Sequence, residues 1–225
     1  MDIKELHRGA FAAVSIKLDA GERIKVEPGA MVAMDSGVKV ETRSGGILKG
    51  LKRAFLGGES FFLNYYEGPG EIVLAPLLIG DIVILDLNGE MFVQSTSFLA
   101  SSESVEVDTR FGGFKSFFMG EGIFLLRLSG NGKVVLGSFG GIVEKELPPG
   151  EEYIIDTGHV VAFDSTITYD VKAFGGMKSF FFGGEGLIVR MKGPGRVLYQ
   201  TRNYPAFLQW IKKMSSTSLP RALIM

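Results

Sequence analysis

The chain has no cysteine and only two histidines, His7 and His159, among its 225 residues. Without cysteine, a disulfide framework and a Cys-ligated zinc site are excluded. Neither histidine stands in a helical His-x-x-x-His spacing, so no histidine metal motif is present. His159 precedes Val160-Val161-Ala162-Phe163, a strand context in which a structural or surface role outweighs that of a base or ligand. An excess of one charge is also missing: 24 Lys and Arg stand against 25 Asp and Glu, a net charge of −1. That balance argues against a protein that holds nucleic acid by bulk electrostatics. Long hydrophobic runs are lacking as well. The most apolar stretch, Ile72 to Leu87, is interrupted by Pro76, Gly80 and Asp81 and falls short of the ~20 residues of a spanning helix; it reads as two buried strands joined by a bend. The first residues, Met1-Asp2-Ile3-Lys4-Glu5, carry acids and lead into no apolar stretch, which is not the form of a signal peptide. A cytoplasmic location is the default expectation. There is no Gly-x-Ser-x-Gly elbow and no Walker loop, so an enzyme is the least favoured reading and no catalytic residue, metal or cofactor is implied.

What the chain has in abundance is glycine, 31 residues, together with 18 Phe and 46% hydrophobic residues. So much glycine in an apolar chain points to turns and close backbone approaches, hence to many short strands. Internal repetition is visible directly. Three segments run from a basic residue through aromatic or aliphatic bulk to Gly and Glu: Arg53 to Glu59, Lys115 to Glu121 and Lys178 to Glu185. Their glutamates lie 62 and 64 residues apart, and a glycine pair precedes each, at Gly45-Gly46, Gly112-Gly113 and Gly175-Gly176. Downstream come Gly68-Pro69-Gly70, Gly130-Asn131-Gly132 and Gly193-Pro194-Gly195, each between two apolar runs. That pattern is a β-hairpin signature. Asn88-Gly89, between Ile82–Leu87 and Met91–Gln94, predicts another. Upstream, V-K-V-E, V-E-V-D and I-T-Y-D alternate as half-buried strands do.

The expected fold is therefore all-β: a single body over residues 1–214, built of three internal repeats at approximately 22–80, 81–146 and 147–203. In the first repeat Ile47 to Arg53 adds some four residues, read as a helical turn or a protruding loop. Asn203 as a cap, Pro205 in the first turn and Lys212-Lys213 at the far end predict a short C-terminal helix over 204–214. Residues 215–225 read as a flexible tail.

The Gly-Gly…Phe-Phe…Gly-Glu pattern, the Gly-x-Gly turns and the closing N-Y-P-A-F-L segment resemble the family of the altered-inheritance-of-mitochondria biogenesis protein. The resemblance spans about Met1 to Met214. It implies a β-rich fold akin to the tryptophan RNA-binding attenuation protein, several such repeats in one chain, and a homotrimer. No Lys-Lys-Arg array recurs in all three copies, so the tryptophan and RNA binding of that attenuation protein is not carried over.

Three groups of residues stand out as candidates. Phe55, Phe117, Phe118, Phe180, Phe181 and Phe182 cannot all follow an in-out alternation, because the Phe180–Phe182 run sends bulk to both faces of a strand. Burying one large side chain contributes roughly 1.5–3 kcal/mol, so these rings need cover. An oligomer contact, an intrachain core between sheets, or a surface for a membrane or another protein would supply it, with the first in front. Lys49, Lys52, Arg53, Lys115 and Lys178 form a candidate basic patch beside them. Aromatic and basic loops could rest on an anionic lipid surface, weakly singly and more strongly as a trimer. Nucleic acid, through Lys49, Lys52, Arg53, Lys212 and Lys213, is a weaker alternative given the negative net charge. Glu59, Glu121 and Glu185 suggest a carboxylate ring around a cation, against the plainer reading that they cap turns or pair with the neighbouring cations. The function expected is a non-catalytic oligomeric scaffold or binding protein. The alternatives are a small-ligand or nucleic-acid binder, or a peripheral membrane assembly.

Overall fold

Alternation builds the strands where it was expected. Val38, Val105 and Ile167 are buried at the heads of the three alternating segments, while the next residues, Lys39, Glu106 and Thr168, are exposed. The computed structural model describes residues 1–44, 62–108, 124–173 and 187–216. These form strands β1 (Asp2–His7), β2 (Ala13–Leu18), β3 (Arg23–Val26), β4 (Met31–Met34), β5 (Lys39–Ser44), β6 (Phe62–Glu67), β7 (Gly70–Leu74), β8 (Ile82–Gln94) and β9 (Phe98–Ser102). They continue as β10 (Glu106–Asp108), β11 (Leu125–Gly137), β12 (Ile142–Leu147), β13 (Glu152–Asp156), β14 (Val160–Asp164), β15 (Thr168–Ala173), β16 (Leu187–Lys192) and β17 (Gly195–Gln200). One helix, α1 (Tyr204–Ser216), follows, so the chain is mostly β with a single C-terminal helix among the described residues.

All pairings between the described strands are antiparallel, and their registers correspond from segment to segment. β2 faces β7 from Val14↔Leu74 to Leu18↔Gly70. The first half of β8 faces the second half of β11 from Ile82↔Gly137 to Leu87↔Gly132, and β12 faces β17 from Ile142↔Gln200 to Leu147↔Gly195. On the other side of β7, β11 and β17 lie β4, β9 and β14, each with one irregularity in its ladder. Sheets of a second kind hold β3-β6-β5, the remaining halves of β8 and β11 with β10, and β13-β16-β15. One side-chain bond marks the same place in each segment. Asp35 Oδ2 accepts from Glu71 N, Ser102 Oγ from Lys133 N and Asp164 Oδ2 from Arg196 N, all at 2.9 Å.

The hairpins expected at the Gly-x-Gly turns do not form. β6 and β7 pair with other strands and not with each other, as do β16 and β17; Gly130-Asn131-Gly132 lies inside the continuous strand β11. Likewise Asn88-Gly89 lies within β8, which pairs with β11 from end to end. The glycines carry the chain from one sheet to another at points too tight for a side chain. A Cβ at Gly130, where φ is +124°, would sit 2.6 Å from the Ser104 carbonyl oxygen, and one at Gly193 would sit 2.3 Å from that of Pro148. The extended strand pair β8·β11 thus ties the two kinds of sheet into one ten-stranded path, β12-β17-β14-β8-β11-β9-β3-β6-β5 with β10 beside β11.

Two seams join the segments within that path. β3 pairs with β9 through Ile24↔Ser102, Lys25↔Ser101 and Val26↔Ala100. β8 pairs with β14 through Met91↔Asp164, Phe92↔Phe163 and Val93↔Ala162. The apolar core follows the seams: Ile24 and Val26 share a cluster with Leu99, Ala100 and Val135, and Val93 shares one with Val161, Ala162 and Leu198. Helix α1 starts where Asn203 Oδ1 caps Ala206 N at 3.0 Å while Asn203 Nδ2 donates to Asp156 Oδ1 at 2.9 Å. It runs two residues past the expected end.

Candidate functional site

The expected site residues lie outside the described residues. This holds for Phe55, Phe117, Phe118, Phe180, Phe181 and Phe182, for Lys49, Lys52, Arg53, Lys115 and Lys178, and for Glu59, Glu121 and Glu185. His159 is part-buried, its Nδ1 2.7 Å from the Gln200 carbonyl oxygen, and His7 is exposed on β1. Among the described residues no three His, Asp or Glu side chains gather as metal ligands, and no helix is long and apolar enough to cross a membrane.

What the fold does expose is the outer side of its first and third segments. Met31, Val32 and Met34 of β4 are 41%, 63% and 39% exposed. At the same register positions, Phe98, Leu99 and Ser101 of β9, and Val160, Val161 and Phe163 of β14, are at most 1% exposed. The difference is a neighbour. β9 is covered by β3 and β14 by β8, whereas β4 pairs only with β7 among the described residues. Beside β4 opens an apolar cleft of about 340 Å³, lined by Phe11, Val32, Val73, Pro76, Leu77 and Ile79. Leu77 is 90% exposed.

At the far end the complementary element is bare. β13 pairs only with β16 among the described residues, and its Ile154 is 49% exposed. The matching residues Lys25 on β3 and Phe92 on β8 are buried in the seams. Helix α1 lies beside this end. Its Phe207 packs on Phe139 with ring centroids 5.1 Å apart, and Trp210, Ile211 and Met214 continue an exposed apolar face at helical spacing. The chemistry available at these ends is apolar burial and backbone hydrogen bonding along strand edges.

Burial perturbs two groups near the first seam. The Glu27 carboxyl, at the end of β3, is pushed up to about 8 by desolvation. Lys25 donates from Nζ to the Val105 carbonyl at 2.5 Å, and burial lowers its ammonium from the usual lysine range.

The sequence reading places the apolar surface in the phenylalanine segments, which lie outside the described residues, and misses β4. The Met31-Val32-Ala33-Met34 run has no alternation and reads as buried on both faces, which is how its counterparts Phe98–Ser102 and Val160–Asp164 behave.

The model of the mitochondrial biogenesis AIM24 family matches residues 4–202. The chain belongs to that family. An uncharacterized protein of Streptococcus pyogenes serotype M6 is 30% identical over 220 residues, covering 92% of this chain and 88% of that protein. A Streptococcus pyogenes protein solved by X-ray crystallography in a structural genomics programme superposes with a TM-score of 0.76 at 27% identity. It covers 95% of this chain and 99% of its own. Membership of the AIM24 family and likeness to that crystal structure agree with the all-β architecture.

Proposed function

We propose that this AIM24-family chain is a non-catalytic scaffold that works as a homo-oligomer in the cytoplasm, three copies being the expected number, and that its three segments are copies of one attenuation-protein-like unit. The observation that supports the reading is the contrast along the strand array: positions buried wherever two segments meet are apolar and bare at the two ends. Leaving Met31, Val32, Ile154, Leu77 and Phe11 in water forgoes burial of roughly 1.5–3 kcal/mol per large side chain, and covering them with another copy restores it. Light scattering on the purified chain tests this. A mass near three times the 24.4 kDa chain is expected, and a monomer that persists at the highest soluble concentration would overturn it.

A second reading is favoured by one feature. Helix α1 sets Phe207, Trp210, Ile211 and Met214 on an exposed face and carries Lys212 and Lys213, a combination that suits the boundary of an anionic bilayer. Flotation of the assembly with anionic vesicles at low salt supports it if the protein rises with the lipid, and failure to rise removes it.

A further inference from the structure

We propose that β13 of one copy adds to the bare edge of β4 of a second copy as an antiparallel strand, with Ile155 facing Ala33, Ile154 facing Met34 and Tyr153 facing Asp35. The inference rests on the oligomeric reading above and specifies the surface and register that reading leaves open. It follows from the two seams inside the chain. Val26, Val93 and Ile155 hold one position, since they face Asn64, Leu126 and Val189 on β6, β11 and β16. Ala33, Ala100 and Ala162 hold another, facing Val73, Val135 and Leu198 on β7, β11 and β17. Across the seams Val26 meets Ala100 and Val93 meets Ala162. The remaining pair, Ile155 and Ala33, has no partner within the described chain, and the same rule joins them between copies.

Neighbouring contacts extend with the register. The Glu27 amide donates to the Leu99 carbonyl at 2.9 Å at the first seam, so the Asp156 amide would donate to the Val32 carbonyl of the second copy. Val32 and Val73 would then be covered as Leu99 with Val135, and Val161 with Leu198, are covered in the seams. Ile154 and Met34, both exposed in the single chain, would shield each other. The two surfaces differ, so the contact is head-to-tail: it closes into a ring or propagates. A strand edge left open is otherwise a site of uncontrolled pairing.

The absence of cysteine makes the test direct. Full-length Ile154→Cys and Met34→Cys chains, carrying different tags, are co-expressed, purified together and oxidised, with light scattering run in parallel. Facing residues on antiparallel strands stand within disulfide reach, so a heterodimer band on a non-reducing gel should form about tenfold faster than with the off-edge partner Val40→Cys. Neither single variant should link to itself. Equal linking to Val40→Cys, or no link in an assembly that light scattering finds oligomeric, overturns the register while the oligomeric scaffold stands. A monomer by light scattering removes both.

Discussion

Glu27 shows how a single side chain ties stability to pH. Its carboxyl is held at about 8 against an ordinary value of 4.5 because burial disfavours the anion. Between those values the folded chain keeps a proton that the unfolded chain has released, so stability present at low pH is lost as pH rises through the window, by no more than about 1.4 kcal/mol per pH unit. Gln94 occupies the corresponding place at the end of β8, buried as a neutral amide. Glu27→Gln is therefore expected to unfold at higher denaturant than the wild type at pH 8, with the gap closing toward pH 4.5; parallel denaturation curves at both pH values check it. The carboxylate–amide bonds of Asp35 and Asp164 offer a second comparison. Both accept a backbone N–H at 2.9 Å, but Asp164 also takes both arms of Arg196 at 3.2 Å and holds that guanidinium above its ordinary value. Each substitution to Ala should cost about 1 kcal/mol for the lost bond, with a larger loss at Asp164, where an arginine loses its partner. Equal losses would mean that solvent screens the Arg196 contact completely.

At the scale of the element, the glycines and the helix invite opposite experiments. Gly130 and Gly89 both have positive φ, +124° and +109°, but only Gly130 has a backbone oxygen in the way of a Cβ. Gly130→Ala is expected to lower the unfolding midpoint well below that of Gly89→Ala, which carries the conformational strain alone. In α1 the cap is local: Asn203→Ala removes the bond to Ala206 N and the tie to Asp156. It should raise amide exchange over the first helical turns by about five- to tenfold, the equivalent of ~1 kcal/mol, while leaving the β-sheet amides unchanged. The contrast also explains what could be read in advance. The helix was legible because its signals, Asn203, Pro205 and the terminal lysines, act within a few residues. Alternation in Val38–Glu41 and its two relatives marked strands for the same reason. Pairing was not legible: Gly-x-Gly states that the backbone bends tightly, but whether the flanking strands fold back on each other or enter different sheets depends on contacts such as Gly193 with Pro148, 45 residues away.

For the whole molecule, exposure is decided by position in the array more than by composition. Leu99 and Val161 are buried, and Val32, equally apolar and at the matching place, is open because β4 pairs only with β7 among the described residues. No local pattern carries that difference, so the candidate site lay beyond the reach of periodicity even though every residue in it was visible. The same fact allows a clean experiment on Val32→Lys. In the isolated chain a lysine at a position 63% exposed leaves stability within about 0.5 kcal/mol of the wild type, since its ammonium stays in water. Between two copies it would bury a charge with no partner, at a cost of several kcal/mol, which an interface does not tolerate. The expected outcome is a chain with wild-type circular dichroism whose mass by light scattering drops to that of one copy. Its unfolding midpoint should no longer rise with protein concentration, because assembly stabilises only the form that binds itself. An assembly of unchanged mass would show that β4 faces solvent there and that the copies meet through another surface.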